Sequence, residues 1–315
     1  MLPSVRTLLN EIIDYAGLFP PAALGMSEAF DRFLGHLGGP DGWMMARFVC
    51  PASRLGELAP MVGRLRQDRA GLALSVLGRG GGTTDGFSSG VIADLHDIVS
   101  FRAAVGSRAL VDQFEVRLPK PAVDLEPVTV AATEQLAAWL PTAVPFFEVS
   151  LLDGWRARLP EAVNAVGHAR STGCAAGLKI RCGGLEPGAV PSPVSVAAAI
   201  ASCRRRGIPL KATQGLHHPV RRFDPDLETT VHGFLNVFVA GVLAYHHELA
   251  ADALLDVLEA GETSAFTFDD DGLAFGDRRV TVDEIDDARL MFAVSFGSCS
   301  FDEPRGDLRG LGLLR

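Results

Sequence analysis

The chain has 315 residues, of which 48% are hydrophobic and 21% are charged, and its formal net charge is −9 at pH 7. This length and composition predict one α/β domain over residues 1–315 with a large core. The negative charge argues against a nucleic-acid-binding protein, which normally carries a basic stripe. Five cysteines without metal-type spacing predict reduced thiols, and the longest apolar run, residues 233–245, is shorter than the roughly 20 residues that cross a bilayer. We therefore expect a cytoplasmic protein without membrane partners.

Taken in chain order, residues 1–42 are expected to form helices that cap one end of the fold. Short apolar runs and helix-like stretches then alternate along the rest of the chain. The predicted strands are 43–50, 72–78, 111–118, 144–151, 176–182, 208–213, 234–239 and 293–298, and the predicted helices are 55–66, 91–105, 128–139, 161–172, 194–206, 241–259 and 282–291.

This alternation predicts a (β/α)8 TIM-type barrel, with a doubly wound open sheet as the alternative architecture. One predicted strand is ambiguous, because residues 232–247 can equally form a single buried helix. Alternating residues around two turn-like sites predict a β-hairpin insertion over residues 265–281, before the last strand.

Several predicted strands carry charged residues on one face only. Residues two apart in a strand share a face, so the charges of each strand point away from its apolar residues. If these faces point into the barrel, the charges share one cavity. The charged residues concerned are Glu115, Arg117, Glu148, Lys179, Arg181 and Lys211, the polar Thr213 lies on the same face as Lys211, and Arg47 on the first predicted strand is expected to join them.

The predicted cavity contains more cations than acids. Counting Arg47, five cations face the two acids Glu115 and Glu148. Burying an unpaired charge costs several kcal/mol, so we expect a small anionic metabolite, carrying phosphate or carboxylate, to balance the excess. The alternative is that the charges only pair with one another across the barrel.

Lys179 and Lys211 are expected on neighbouring strands. Two like charges about 6 Å apart, at an effective dielectric near 20, repel by roughly 3 kcal/mol. Such repulsion would lower the pKa of one lysine towards the range in which its free amine attacks a carbonyl, while nearby glutamates would oppose the shift and could move protons. Gly183, Gly184 and Gly215 follow the two lysines closely and would let a ligand approach the backbone.

Residues 179–184 (KIRCGG) and 211–215 (KATQG) resemble elements of the class I aldolases of barrel fold, and those of the deoxyribose-phosphate aldolase type most closely. In that superfamily the Schiff-base lysine commonly lies on strand six, and in the deoxyribose-phosphate aldolase the lysine pair occupies strands six and seven. The predicted strand order places Lys179 on strand five and Lys211 on strand six. The resemblance therefore implies a lyase in which Lys211 forms the imine and Lys179 is its electrostatic neighbour.

A wider set of motifs resembles a bacterial protein family that has no assigned activity. This second resemblance extends over nearly the whole chain and implies no chemistry. Its motifs are residues 14–21 (DYAGLFPP), 179–184 (KIRCGG), 211–219 (KATQGLHHP), 232–236 (HGFLN) and 296–301 (FGSCSF).

The histidines indicate a competing chemistry. His217 and His218 follow one predicted strand and His232 precedes the next, so with Glu115 and Glu148 they could bind a divalent metal in an isomerase or hydrolase. No His-x-His element is present, and one histidine could act without a metal. We expect His217 to serve as a general acid or base, and His218 and His232 to contact the ligand.

Ser298 and Ser300 leave the last predicted strand in a turn, a position that binds phosphate in many barrels. A third hypothesis is a non-catalytic binder of an anionic metabolite, in which the lysines serve only as counter-charges. No cofactor is assigned beyond the divalent metal of the second hypothesis, and a homo-oligomer is left open.

Overall fold

Eight parallel strands close into a barrel in the computed structural model, which describes residues 1–65, 71–119 and 123–314. Neighbouring strands follow chain order, and the last strand closes the barrel by pairing with the first. The predicted α/β TIM-type barrel is therefore confirmed. The barrel strands are β1 (Ile13–Tyr15), β2 (Met45–Pro51), β3 (Leu72–Leu77), β4 (Ala109–Arg117), β5 (Val144–Val149), β6 (Gly177–Arg181), β7 (Leu210–Thr213) and, after five strands outside the barrel, β13 (Ala293–Ser298).

Most of the helices lie between successive barrel strands. Where the sequence offers capping residues they are used: Ser192 caps one helix ahead of Pro193, and Thr281 forms a capping box with Glu284. Of the predicted helix 55–66, residue 66 lies outside the described residues. The helices are α1 (Pro3–Leu9), α2 (Met26–Gly38), α3 (Leu55–Leu58), α4 (Thr84–Val105), α5 (Leu125–Trp139), α6 (Trp155–Ser171), α7 (Pro193–Arg205), α8 (Phe234–His247), α9 (Ala251–Glu259), α10 (Val282–Met291) and α11 (Asp302–Gly310).

The first barrel strand lies in the segment for which the sequence predicts only a helical cap. Residues 1–42 do contain α1 and α2, but β1 lies between them and pairs with β2 and β13. A strand of three residues is too short to show an alternating pattern. The prediction of a purely helical cap is therefore wrong, and the first six predicted strands are barrel strands two to seven.

Residues 234–239, predicted as a barrel strand, form the beginning of α8 instead. Every residue from Phe234 to Ala244 is buried. A helix that is apolar on all sides shows no 3.6-residue periodicity, so its pattern does not distinguish it from a buried strand. The alternative of one buried helix is the correct one. No helix within the described ranges combines the length and apolarity needed to cross a bilayer.

Two small antiparallel sheets lie outside the barrel. β8 (Arg222–Asp224) and β9 (Thr229–Val231) form a hairpin after β7 that the sequence analysis does not predict. Where a simple hairpin is predicted over 265–281, three strands pair in order: β10 (Phe266–Phe268), β11 (Gly272–Phe275) and β12 (Arg278–Thr281). The insertion therefore has one strand more than predicted.

The pairing register of four neighbouring strands lines up their charged residues. Arg117 is paired with Glu148, Glu148 with Lys179, and Lys179 with Lys211. Directly paired residues project to the same side of a sheet, and the alternate residues project to the other side. The row of charges therefore faces the barrel interior.

Candidate active site

Glu115 joins the two lysines inside the barrel. Its Oε2 lies 2.5 Å from Nζ of Lys179, and its Oε1 lies 2.5 Å from Nζ of Lys211. All three side chains are buried. Charged side chains from separate strands therefore meet inside the barrel, as the sequence predicts.

Lys211 is enclosed by oxygen atoms of side chains on β1, β3 and β4. Its Nζ lies 2.6 Å from Oδ2 of Asp14 and donates to Oε1 of Gln113 at 2.5 Å and to Oγ of Ser75 at 3.2 Å. Together with Oε1 of Glu115, these oxygens provide an acceptor for each of the three N–H donors of the Lys211 ammonium group. The side chain is 0% exposed, so Lys211 is held where a substrate carbonyl cannot reach it without rearrangement.

Arg47 belongs to the same ion-pair network as Lys211, because both contact Asp14. Its Nε donates to both carboxylate oxygens of Asp112 at 2.9 Å, and its Nη1 lies 3.3 Å from Oδ1 of Asp14. The other oxygen of Asp14 accepts from Oγ of Ser295 at 2.6 Å. Arg47, expected to bind substrate, is thus satisfied by two carboxylates and does not line the central cavity.

Glu148 connects Lys179 to the two arginines at the mouth of the barrel. Its Oε2 lies 2.9 Å from Nζ of Lys179, whereas its Oε1 lies 3.5 Å from Nε of Arg117 and 3.8 Å from Nε of Arg181. These last two contacts are longer than a good charge-assisted hydrogen bond. Both guanidinium groups therefore keep donors for another partner.

The electrostatics of the lysines differ from the expectation. Burial lowers the pKa of Lys179, but Glu115 and Glu148 outweigh burial, and the net pKa is raised. Burial likewise raises the pKa of Glu115, but Lys179 and Lys211 outweigh it and hold that pKa well below its usual range. The predicted lowering of a lysine pKa is therefore wrong for Lys179, because two carboxylates contact its ammonium group.

The charges are also more nearly balanced than predicted. Asp14 and Asp112 add two acids, so that five cations face four carboxylates and one positive charge remains in excess. The excess lies at the mouth, where Arg117 and Arg181 share one oxygen of Glu148. The sequence predicts an excess of three positive charges, and this number is too high. The overestimate arises because Asp14 and Asp112 are not among the predicted site residues.

A central cavity of about 240 Å³ opens at the carboxyl ends of the strands, where barrel enzymes carry their active sites. Lys179 lines it and Lys211 does not. Phe19, Pro20 and Pro21 line it from the loop after β1. The other predicted site residues among its lining are Glu115, Arg117, Glu148, Arg181, Gly184, Thr213, Gly215 and His217.

Gly183 and Gly215 meet where the loops after β6 and β7 cross. A Cβ on Gly215 would lie 2.7 Å from Cα of Gly183, and Gly215 has a φ of +71°. Only glycine fits both constraints. Gly183 itself does not line the central cavity, so its place is in this backbone crossing.

Each of the three predicted histidines has a hydrogen-bond partner of its own outside the lysine network. Nδ1 of His217 lies 3.0 Å from Oε2 of Glu303, and Nδ1 of His218 lies 2.6 Å from Oδ2 of Asp307. His232 is buried, and its Nε2 lies 2.8 Å from the carbonyl oxygen of Pro191. Only His217 lines the central cavity, so the structure does not bring His218 or His232 to a ligand there.

The predicted metal ligands are not assembled either. Glu115 and Glu148 pair with lysines, and the histidines pair elsewhere. In the ranges that the structure describes, no group of three or more His, Cys, Asp or Glu side chains is arranged to bind a metal ion. The residues named for the metal-dependent hypothesis therefore do not form its site.

Ser298 and Ser300 bond to each other. Oγ of Ser298 donates to the carbonyl oxygen of Ser300 at 2.6 Å, and Oγ of Ser300 accepts from the backbone N–H of Glu303 at 3.3 Å. Their hydroxyl groups stabilise the turn into α11, and neither residue lines the central cavity. In the structure, both serine hydroxyl groups therefore form hydrogen bonds within this turn and do not face the central cavity.

Ser75, Gln113 and Ser295 complete the buried network, and sequence reasoning missed them together with Asp14. Gln113 lies two positions before Glu115, so the alternation that predicts Glu115 and Arg117 as inward-facing also predicts Gln113. Another signal is composition: of the 29 lysines and arginines only three are lysines, and two of these are Lys179 and Lys211.

Comparisons with known proteins support the fold. No protein-family model matches the chain, and no curated protein sequence matches it either. The solved structure of the tetrameric deoxyribose phosphate aldolase from Aeropyrum pernix matches with a TM-score of 0.52 at 13% identity, over 98% of this chain and 94% of that chain. The likeness confirms the barrel fold that the aldolase resemblance implies. Membership of the bacterial family stays a prediction.

Proposed function

We propose that the protein is a lyase of the aldolase type, which forms an imine between Lys179 and a small anionic carbonyl compound. The observation that carries the proposal is the position of Lys179: of the two lysines in the buried network it is the one that lines the central cavity, and it lies on barrel strand six. The corrected strand count places Lys179 and Lys211 on strands six and seven, as in the lysine pair of the deoxyribose-phosphate aldolase type. The nucleophile is therefore assigned to Lys179, with Lys211 as its neighbour.

Two carboxylates supply the proton transfers that imine formation needs. The ammonium group of Lys179 first gives a proton to Glu148 or Glu115, which lie 2.9 and 2.5 Å away. The free amine attacks the carbonyl carbon, the carbonyl oxygen takes up a proton, and loss of water leaves an iminium ion. The iminium ion carries the same single positive charge as the original ammonium group. The carboxylates therefore stabilise it, although they oppose the neutral amine that precedes it.

Carbon–carbon bond cleavage can follow from the same groups. In a β-hydroxy imine, a carboxylate removes the hydroxyl proton, the bond between the α and β carbons breaks, and its electron pair moves to the iminium nitrogen. The products are a free aldehyde and an enamine, which is protonated on carbon and hydrolysed back to Lys179.

Arg117 and Arg181 favour an anionic substrate. They carry the excess positive charge of the site, and their side chains are 65% and 34% exposed at the mouth of the cavity. An arginine fork binds carboxylate or phosphate well. The cavity of about 240 Å³ suits a small compound.

Assembly and location belong to the same proposal. The similar aldolase is tetrameric by its description, and a homo-oligomer is proposed for this chain, to be tested by light scattering on the purified protein. The five cysteines are all free, which agrees with the cytoplasmic location proposed from the sequence.

Borohydride trapping tests the proposal. The protein is incubated with small anionic aldehydes and 2-oxo acids, reduced, and analysed by mass spectrometry. We expect a stable adduct on Lys179 with at least one compound that the protein also converts. Conversion of a compound without any reducible adduct would overturn the imine mechanism, and a compound that binds but is recovered unchanged would favour the non-catalytic binder.

A further inference from the structure

A second cavity lies beside the central one at the mouth of the barrel, and we call it the side cleft. Its volume is about 300 Å³. It shares Arg117 and Arg181 with the central cavity. Its apolar lining consists of Pro20, Leu151, Leu152, Leu185 and Ala189.

The leucines of the side cleft are unusually open to solvent. Leu185 is 59% exposed and Leu152 is 38% exposed. A single exposed leucine needs no explanation, but two that line one cleft beside a binding site indicate an apolar contact. The cleft therefore offers apolar surface next to the arginines of the central cavity.

Arg181 has a donor without a partner at this junction. Its Nε is buried and has no hydrogen-bond partner among the described residues, and the nearest oxygen of Glu148 lies 3.8 Å away. A buried donor that stays unsatisfied costs free energy, and a ligand acceptor would remove that cost. The excess of one positive charge matches a monoanion such as a carboxylate better than a phosphate dianion.

We propose that the side cleft binds the aliphatic chain of a carboxylate whose charged group is held by Arg117 and Arg181. The inference rests on the proposed function and narrows its substrate class to carboxylates with an apolar chain. The chain leaves the central cavity past Leu185, which lines both cavities, and covers Leu152. Shorter carboxylates bind by charge alone.

The test uses calorimetry with acetate, butanoate, hexanoate and neutral hexanamide. None of these forms an imine, so their binding is independent of the lyase chemistry. Affinity is expected to rise about fourfold for each methylene group that is fully buried in the cleft, and hexanamide is expected to bind at least about tenfold more weakly than hexanoate. In Leu185→Ser the affinity should no longer increase with chain length. In Leu152→Ser the increase should be smaller than in the wild type.

Leu290→Ser is the matched control, because Leu290 is 71% exposed on α10 and lines neither cavity. Its affinities for acetate, butanoate and hexanoate should equal those of the wild type. Affinity independent of chain length, absence of binding by every carboxylate, equal binding of hexanamide and hexanoate, or an unchanged series in Leu185→Ser would each overturn the inference. If hexanoate binds as expected while no reducible adduct forms with any converted substrate, the cleft stands and only the imine mechanism fails.

Discussion

Nζ of Lys179 lies 2.5 Å from Oε2 of Glu115 in the barrel interior. The other oxygen of the same carboxylate holds Lys211, so the two ammonium groups do not face each other directly. This single carboxylate lets a barrel keep two lysines buried together without a large repulsion. It also means that Lys179 becomes a nucleophile only after it has given up a proton.

Replacing Lys179 by arginine should separate its chemical role from its electrostatic one. Lys179→Arg keeps a cation between Glu115 and Glu148 but removes the primary amine. We expect kcat to fall by about three orders of magnitude or more, and the free energy of unfolding to fall by no more than about 3 kcal/mol. Lys179→Met, which leaves two carboxylates without their partner, should cost about 3–5 kcal/mol. Steady-state kinetics and urea unfolding measure both, and more than a tenth of the wild-type kcat in Lys179→Arg would contradict the assignment.

The rate of imine formation should rise with pH. The carboxylates of Glu115 and Glu148 outweigh burial and raise the pKa of Lys179, so the free amine becomes more abundant as the pH increases from 7 to 10. Initial rates of adduct formation under cyanoborohydride should increase over this range without a plateau. Glu148→Gln removes one carboxylate and should move the profile to lower pH, whereas Glu134→Gln, on the exposed face of α5 and away from both cavities, should not. A rate independent of pH would speak against a protonated resting lysine.

Stability should depend on pH through His232. Burial lowers the pKa of His232, and the hydrogen bond with Pro191 only partly opposes this. The unfolded chain, with a pKa near 6.5, then binds more protons than the folded one, so stability is fully present above that pKa and is lost as the pH falls towards 5. His232→Phe should be about 1–3 kcal/mol less stable at pH 7 and should lose less stability than the wild type between pH 7 and 5. Urea unfolding at both pH values checks this, and equal losses in the two proteins would refute it.

The backbone crossing should tolerate no side chain. In Gly215→Ala the new Cβ would lie 2.7 Å from Cα of Gly183 and 2.8 Å from the carbonyl oxygen of Cys182, at a φ of +71°. A loss of at least about 1–3 kcal/mol in the free energy of unfolding is expected. Gly188→Ala is the control, because nothing lies within 4 Å of its Cβ, and it should stay within about 0.5 kcal/mol of wild type. Similar stabilities for the two variants would show that the crossing is not tight.

The sequence predicts the barrel because most of its strands alternate with helices over ordinary lengths. The sequence assigns two segments to the wrong type of secondary structure, and both errors have local causes. β1 has three residues and α8 is apolar on every side, so neither shows the period that identifies its type. The two errors cancel in the total of eight strands, but they shift Lys179 and Lys211 by one strand each.

The charged faces of β4 to β7 could be predicted from alternation alone. The partners of those charges could not, because Asp14 lies on the short β1, Ser75 is a single polar residue in an apolar strand, and Ser295 is an uncharged residue between apolar neighbours. Ion pairs between strands far apart in sequence depend on how the barrel closes. The excess charge was therefore overestimated, although Arg117 and Arg181 remain at the mouth as expected.

The most direct measurement is the location of the borohydride adduct in a tryptic digest. An adduct on Lys179 blocks cleavage there and yields a peptide of residues 171–181, whereas an adduct on Lys211 yields residues 207–221. The account predicts the first peptide, at full occupancy and only in the presence of a converted substrate. The second peptide alone would contradict it, because the amine that the structure encloses would then be the one that reacts.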